Sequence, residues 1–425
     1  MKEEKTRHSI QIDREKCVGC VLCMIACPMK AIRIRDDKAV IDPLRCVDCG
    51  ECYRVCPHDA VIPETTSFSD LKQFKYTVAL PSPVLYMQFG WEVMPNQVLQ
   101  GLKRFGFNYV YDVAWMCENV TAAYEVFIRQ QSGPKPLIST VCPAVVRLIT
   151  HLYPELVDHF IPIESPRELA AKRLRFKIAM EKGLRPEEIG VIHITSCAAK
   201  MVSVNHPVGM AKSHLDGVVS IKDIFGELLD LVDDVEEDVI LQQSSGVGLG
   251  WAQSGGEIRG MNLDNALAVS GVSDVIRILD DVEAGRLRNI DYLELLICPD
   301  GCIGGPMIVQ NRHIAKQRCE TLVKMFGEKS RVSKKMIRRL FKEGFYRIEM
   351  GIEHQPLPPL NPDPIKAIQM RQEIEDLIPR LGGRECGACG APDCRTLARD
   401  IIVGEARRTD CVFVKPDEEE QDETA

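Results

Sequence analysis

The chain of 425 residues has no apolar run long enough to cross a membrane, and its opening stretch, MKEEKTRHSIQIDREK, lacks the apolar core of a secretory leader. It has no basic stripe either. With 61 acidic against 53 basic residues the net charge is -8, so nothing is available to neutralise a run of phosphates and a nucleic-acid partner is not expected. Aromatic residues are sparse at 6%, but the 45% apolar and 27% charged content is ordinary for a globular protein, and the length is that of about three domains. The expectation is a cytoplasmic protein without membrane insertion. What the chain has in quantity is cysteine, eighteen in all. In a reducing compartment, thiols two to four residues apart are read as metal ligands before disulfides.

Sixteen of the eighteen fall into three sets. The first is Cys17-x2-Cys20-x2-Cys23-x3-Cys27-Pro28, repeated as Cys46-x2-Cys49-x2-Cys52-x3-Cys56-Pro57, with Asp13 matching Asp42, Ala31 matching Ala60 and Ile32 matching Val61. This is the bacterial two-cluster ferredoxin spacing, in which the last cysteine of each run ligates the other cluster. One 4Fe-4S cluster is assigned to Cys17, Cys20, Cys23 and Cys56, and a second to Cys46, Cys49, Cys52 and Cys27. A thiolate zinc site is the alternative, disfavoured because zinc ribbons pair two short motifs. His58, beside Pro57, reads as a surface turn residue.

At the other end, Cys386-x2-Cys389-x4-Cys394-x16-Cys411 follows a Pro-rich linker and a helical segment, Ile365 to Arg380, and Cys394 to Ala406 reads as a second helix. The set resembles the small four-cysteine 4Fe-4S domain of several anaerobic electron-transfer and corrinoid proteins, although four thiolates also suit zinc. The acidic stretch from Asp417 to Thr424 reads as a solvated end.

The middle set, Cys142, Cys197, Cys298 and Cys302, is dispersed. Its first three members each follow an apolar run that reads as a buried strand: Pro136 to Val141, Gly190 to Ser196 and Tyr292 to Ile297. Parallel α/β sheets build sites at the carboxyl ends of their strands, so four distant thiols can meet there. The segments Gly133-Pro134-Lys-Pro136-Leu-Ile-Ser-Thr-Val-Cys142-Pro143, Thr195-Ser-Cys197-Ala-Ala-Lys200 and Glu294-Leu-Leu-Ile-Cys298-Pro-Asp-Gly301-Cys302-Ile-Gly304-Gly305 carry a resemblance. In that order they are similar to the three signature motifs of the iron-iron hydrogenase catalytic domain. Support comes from Gly106-Phe107-x3-Tyr111-Asp112, from Ser245-Gly-Val-Gly248, and from Ala266 to Arg286, which is expected to be a helix leading into the third motif.

The resemblance implies an H-cluster: a 4Fe-4S cubane held by Cys142, Cys197, Cys298 and Cys302, with Cys302 bridging to a diiron unit that carries carbonyl and cyanide. It also makes Lys200 the cation that faces a diiron cyanide, a role that suits an ammonium because iron-bound cyanide is a strong acceptor. Read alone, Lys200 is more often a solvent-facing residue. The fold class expected is an α/β hydrogenase-like domain flanked by an α+β ferredoxin-like domain and a small Fe-S domain. The boundaries are 7–65 for the two-cluster domain, 76–350 for the H-cluster domain, 351–364 for the linker and 365–425 for the four-cysteine domain with its tail.

Departures from the family pattern bear on activity. Active members usually carry a proton-passing cysteine where this chain has Val141, a relay glutamate where it has Ser203, and a methionine near Leu296 and Ile297; Gly304-Gly305-Pro306 shortens a glycine run. Such substitutions resemble the sensory branches of the family. The functional expectation is therefore a slow, ferredoxin-type iron-iron hydrogenase with a sensory role, reacting H2 with protons and electrons. A metabolic hydrogenase with another proton path and a non-catalytic electron-transfer or assembly protein are the alternatives. Expected partners are H2, hydrogenase maturation proteins, and a redox or signalling protein, a kinase or phosphatase among the candidates.

Other residues are read more plainly. Cys117 is taken as a buried thiol before a proton relay, Cys319 as chemically idle, and His193 as a hydrogen-bonded core histidine. The glycines of Ser245 to Trp251 are read as close packing, not a dinucleotide loop. Glu118, Ser165 and Glu168 could rebuild a proton path but equally resemble caps and surface charges, with Ser165-Pro166-Arg-Glu168 reading as a capping box.

Overall fold

The computed structural model describes residues 8–131, 133–233 and 238–414. The opening seven residues and the acidic stretch from Asp417 to Thr424 lie outside the described residues. The chain divides into two compact units: Met1–Ser9, Val47–Gly50 and Glu64–Gln355 form one, and Ile10–Cys46, Glu51–Pro63 and Pro356–Ala425 the other.

The smaller unit joins the first cysteine set, all but Cys49, to the third. Its strands are β1 (Ile10–Ile12), β2 (Ile32–Arg35), β3 (Lys38–Ile41) and β4 (Val61–Pro63), paired antiparallel as β1 with β4 and β2 with β3. Asp36 and Asp37 make the two-residue turn between β2 and β3 at φ of 50° and 56°, the left-handed region that a short polar side chain tolerates. The repeated residues have local tasks. Asp13 Oδ1 accepts from the backbone N–H of Glu15 and Asp42 Oδ1 from that of Leu44, each at 3.0 Å, which turns the chain into its cysteine run. Ala31 and Ala60 donate their N–H groups to the sulfurs of Cys27 and Cys56 at 3.3 and 3.4 Å. In the third set, helix Pro364–Leu377 and the turn Ile378–Arg380 match the expected helical segment, while the second helix stops at Ile402, short of Ala406. Ile374, Leu381, Ala391 and Leu397 form a small core with Cys394 and Cys411.

The larger unit is α/β, as expected. Strands β5 (Tyr76–Pro81), β6 (Tyr109–Val110), β7 (Leu137–Ile138), β8 (Ile189–Thr195), β9 (Gly217–Ser220), β10 (Ala266–Ser270) and β11 (Tyr292–Leu296) make two parallel sheets, in the orders β6-β5-β8-β9 and β10-β11-β7. Central β8 is buried at every position, the continuous apolar strand that helices covering both faces demand. One expectation is corrected: Ala266 to Ser270 is strand, and the helix runs only from Val272 to Glu283. Ala-Leu-Ala-Val-Ser carries no decisive helical period, and five residues of pairing with β11 settle it.

Candidate metal centre

The three motif cysteines follow the ends of three parallel strands. Cys142 caps helix Pro143–Leu152 four residues after β7, Cys197 follows β8 by two, and Cys298 follows β11 by two; Cys302 opens the next turn. Cys142, Cys197 and Cys298 are buried and Cys302 is half-buried, and every cysteine of the chain is free of disulfides. Cys142, Cys197 and Cys302 stand near enough to interact: the Cys142 thiol is pushed up to about 12 by burial and, after it, by the sulfurs of Cys197 and Cys302. Burial likewise raises Cys302, against the pull of the Lys200 ammonium. Thiols held against ionisation, as Cys142 and Cys302 are, are poor nucleophiles and good metal ligands, since a metal cation supplies the charge that stabilises the thiolates.

The third-motif loop is pinned from two sides. Ser196 donates its hydroxyl to the Cys302 carbonyl at 2.9 Å and accepts the Met307 N–H on its own carbonyl at 3.1 Å. Ser254 N–H bonds the Asp300 carbonyl at 3.0 Å, and Asp300 takes the Lys316 ammonium at 2.9 Å.

Lys200 is buried, 7% exposed, which corrects the solvent-facing reading of the isolated residue. Its ammonium donates to Thr195 Oγ1 at 3.2 Å and makes no ion pair with a carboxylate among the described residues. A buried cation without an anion is costly unless a negative group completes the site. Disulfide-free thiols just past three strand ends and a buried ammonium without a carboxylate partner among the described residues fit an anionic iron-sulfur assembly.

Around these residues the substituted positions have new neighbours. Val141 is buried, and its carbonyl faces Arg167 Nη1 at 3.4 Å. Arg167 Nη2 donates to Ser203 Oγ at 3.2 Å, and Ser203 donates to the Lys200 carbonyl at 2.8 Å. Arg167 lies in the Ser165-Pro166-Arg-Glu168 segment, where the capping box is corrected. Pro166 does start the helix, but Ser165 makes no side-chain cap, and Glu168 turns to Ser213 Oγ at 2.7 Å and His214 N–H at 2.8 Å. Glu118 and Glu168 are buried, not surface charges; Glu118 accepts from Ser245 N–H, Ser330 Oγ and Arg331 N–H. His193 is a core residue whose Nδ1 meets the Leu80 carbonyl at 2.8 Å, and Cys117 and Cys319 are buried thiols. Gly246 and Gly248 pack as expected: an added Cβ would lie 2.2 Å from the carbonyl oxygens of Val323 and Ala114.

A buried acidic pair beside Cys302 was not anticipated. Glu294 accepts the N–H groups of Gly255, Glu257 and Ile258 at 2.8 to 3.2 Å, and Glu257 takes the Tyr292 hydroxyl and, at 3.4 Å, that of Ser139. Burial raises both carboxyls, and each raises the Cys302 thiol in turn. One sign of it stood in the sequence: Glu294 is an acid in the middle of an apolar strand. Glu257 carried none.

Glu164 borders a cleft of about 60 Å³ that reaches Thr140, Arg167 and Ser203. Burial pushes its carboxyl up to about 7, partly opposed by Lys172 at 3.3 Å. The folded protein thus keeps a proton that the unfolded chain releases near the ordinary carboxylate value. The associated stability, about 3 kcal/mol at most, is complete below pH ~4.5 and is lost as pH rises through about 7. Melting temperatures of the wild type and of Glu164→Gln, followed from pH ~5 to ~8, should converge or cross as the wild type weakens; parallel curves would remove Glu164 as the cause.

In the smaller unit, the thiol of Cys23 is pushed up to about 11 by burial and by the sulfurs of Cys17, Cys20 and Cys56, and these four line one small cavity with Ile12 and Val61. Burial and the sulfurs of Cys46, Cys27 and Cys23 raise Cys52. His58 is exposed in its turn. Cys389 is raised by burial and by Cys411 and Cys386, with Cys394 in the same core.

The family model for the iron only hydrogenase large subunit, C-terminal domain, matches residues 75–262 and 250–306, more than half of the chain. A 4Fe-4S dicluster domain matches residues 2–60, and a putative Fe-S cluster domain residues 381–413. Among curated relatives, iron hydrogenase 1 of Clostridium pasteurianum is 21% identical over 269 residues, spanning 52% of this chain and 46% of that protein, so the chain spans about half of its length. The periplasmic [Fe] hydrogenase large subunit of Nitratidesulfovibrio vulgaris is 24% identical over 363 residues, spanning 70% of this chain and 86% of the relative. A solved variant of [FeFe]-hydrogenase HydA1 from Chlamydomonas reinhardtii superposes with a TM-score of 0.50 at 16% identity, over 67% of this chain and 95% of that one, which establishes a common fold. No helix among the described residues is long and apolar enough to cross a membrane. With its motif cysteines at the ends of parallel strands and its sequence matched along most of the larger unit, the chain belongs to the iron-only hydrogenase large-subunit family.

Proposed function

We propose that the chain reacts H2 with protons and electrons at an H-cluster held by Cys142, Cys197, Cys298 and Cys302, slowly, in a sensory role. The observation that supports this reading is the placement of Cys142, Cys197 and Cys298 just past the ends of three parallel strands, in the unit that buries Lys200. When bound, the diiron group would supply the iron at which H2 is split into two protons and two electrons. Lys200 would hold its negatively charged ligands, and Cys302 would join it to the cubane. The names of the relatives, all hydrogenases, support the same chemistry.

Proton handling sets the rate. Val141 has no ionisable atom, and Ser203, where a relay carboxylate would stand, is bonded to Arg167. A positioned acid or base is worth ~10²- to 10⁴-fold, and turnover should fall short of proton-relaying relatives by that order. The sulfurs of Cys17, Cys20, Cys23 and Cys56, of Cys46, Cys49, Cys52 and Cys27, and of Cys386, Cys389, Cys394 and Cys411 would each hold one 4Fe-4S cluster and relay the electrons. Maturation proteins would install the diiron unit, a separate redox or signalling protein would take the output, and free thiols throughout suit the cytoplasm.

After loading with a diiron unit, the infrared spectrum should show iron-bound carbonyl and cyanide bands that differ under hydrogen and argon. Bands with turnover equal to a metabolic hydrogenase would refute the sensory role. Absence of bands from the loaded protein would favour a carrier or assembly protein.

A further inference from the structure

We propose that the four-cysteine C-terminal segment is a fixed electron port of the ferredoxin-like segment, docked on it within the smaller unit and exchanging electrons with it inside one molecule. This rests on the reading that both segments hold iron-sulfur clusters, which their disulfide-free cysteine sets, half of them buried, fit.

The docking surface is built of charge that a solvent-facing contact would not need. Asp400, fully buried, accepts Arg33 Nε at 2.5 Å and Nη2 at 3.1 Å, a two-point pairing, and Arg35 Nη2 at 3.0 Å. Two guanidiniums on one buried carboxylate fix geometry as well as distance, because the planar forks must align. Lys30 pairs with Asp393, which also caps the helix carrying Cys394 through Thr396 N–H. Backbone joins backbone too. Ile34 N–H of β2 bonds the Gly390 carbonyl at 2.9 Å, and Gly390, at φ 77°, comes so near that a Cβ there would lie 2.3 Å from the Ile34 oxygen.

The parts in contact are those that carry the thiols. A Cβ on Gly387, between Cys386 and Cys389, would lie 3.0 Å from Met24 Cε and 3.9 Å from Ile25 Cδ1, and those two residues stand between Cys23 and Cys27. One side-chain contact thus separates the ligand loop of one site from the short helix that lies between ligands of the other two. A brace needs the salt bridges only; laying ligand loop on ligand helix is what electron exchange needs. The step is a one-electron exchange in which one cluster is oxidised and the other reduced, with no bond made or broken and no proton moved.

The test uses the full chain with its iron-sulfur clusters reconstituted, partly reduced with dithionite, and read by electron paramagnetic resonance. Iron and sulfide content with Cys394→Ala as control first shows whether the C-terminal set holds a cluster; zinc there would defeat the underlying reading. Given a cluster, the wild type should show magnetic interaction, as splitting or fast relaxation, between it and the ferredoxin-type clusters. Asp400→Asn and Gly390→Val should lose that interaction while keeping their iron content and far-ultraviolet dichroism. A C-terminal cluster that is present but magnetically isolated in the wild type overturns the port, and so does an interaction undiminished in two well-folded variants.

Discussion

Cys302→Ala is expected to abolish hydrogen conversion and the carbonyl and cyanide bands together, leaving the iron of the two terminal cysteine sets in place. The selectivity follows from position. Cys302 lies on a turn of its own, its carbonyl tied to Ser196 and its thiol under the pull of the Lys200 ammonium, and it belongs to neither of the terminal cysteine sets. Alanine takes away the sulfur proposed as the bridge and fills none of its space, while Cys142 and Cys197 keep their strands and their burial. Iron analysis, infrared spectroscopy and a hydrogen assay on one preparation decide it. Retained bands with retained turnover would mean that Cys302 is not the bridge.

The second large effect is expected from one methyl group. In Gly304→Ala the added Cβ would lie 1.9 Å from the Pro299 carbonyl oxygen, a contact no rotamer relieves because backbone is on both sides. Overpacking of this kind costs about 1–3 kcal/mol, and the loop between Cys298 and Cys302 must move to accommodate it. Melting should fall by several degrees, and diiron incorporation should fall much further, since the sulfurs of that loop lose their register with Cys142 and Cys197. Glycine at 304 is thus a steric requirement of the ligand loop. A Gly304→Ala protein with full infrared bands and unchanged melting would show that the loop has slack.

Cysteine arithmetic made a large part of this molecule legible. The duplicated eight-thiol run and the four-thiol C-terminal set are statements about spacing, which is written directly into the chain, while the three dispersed motifs were legible through a family resemblance. The α/β class was legible for a related reason: the strand around His193 reads as a continuous apolar run, and only a strand covered on both faces has that pattern. Ala266 to Ser270 went the other way, because a five-residue apolar stretch has no period long enough to separate strand from helix until a neighbour pairs with it.

The sites were legible as ligands and not as surroundings. Lys200 could be placed by the resemblance, three after Cys197, but its burial without a carboxylate partner among the described residues depends on what β8 packs against. Glu168 has the spacing of a capping box and is drawn instead to Ser213 and His214, residues 45 and 46 positions away. Arg167 on Ser203, Glu257 on Tyr292 and Asp400 on two arginines are likewise contacts between distant segments, for which no local pattern exists. The amino-acid order by itself determined which atoms can bind metal, because that depends on side-chain type and on short spacing. Which of those atoms face one another, what charge stands opposite them and which modules touch were decided only by tertiary structure, since burial and long-range pairing are properties of the folded chain and of no segment of it.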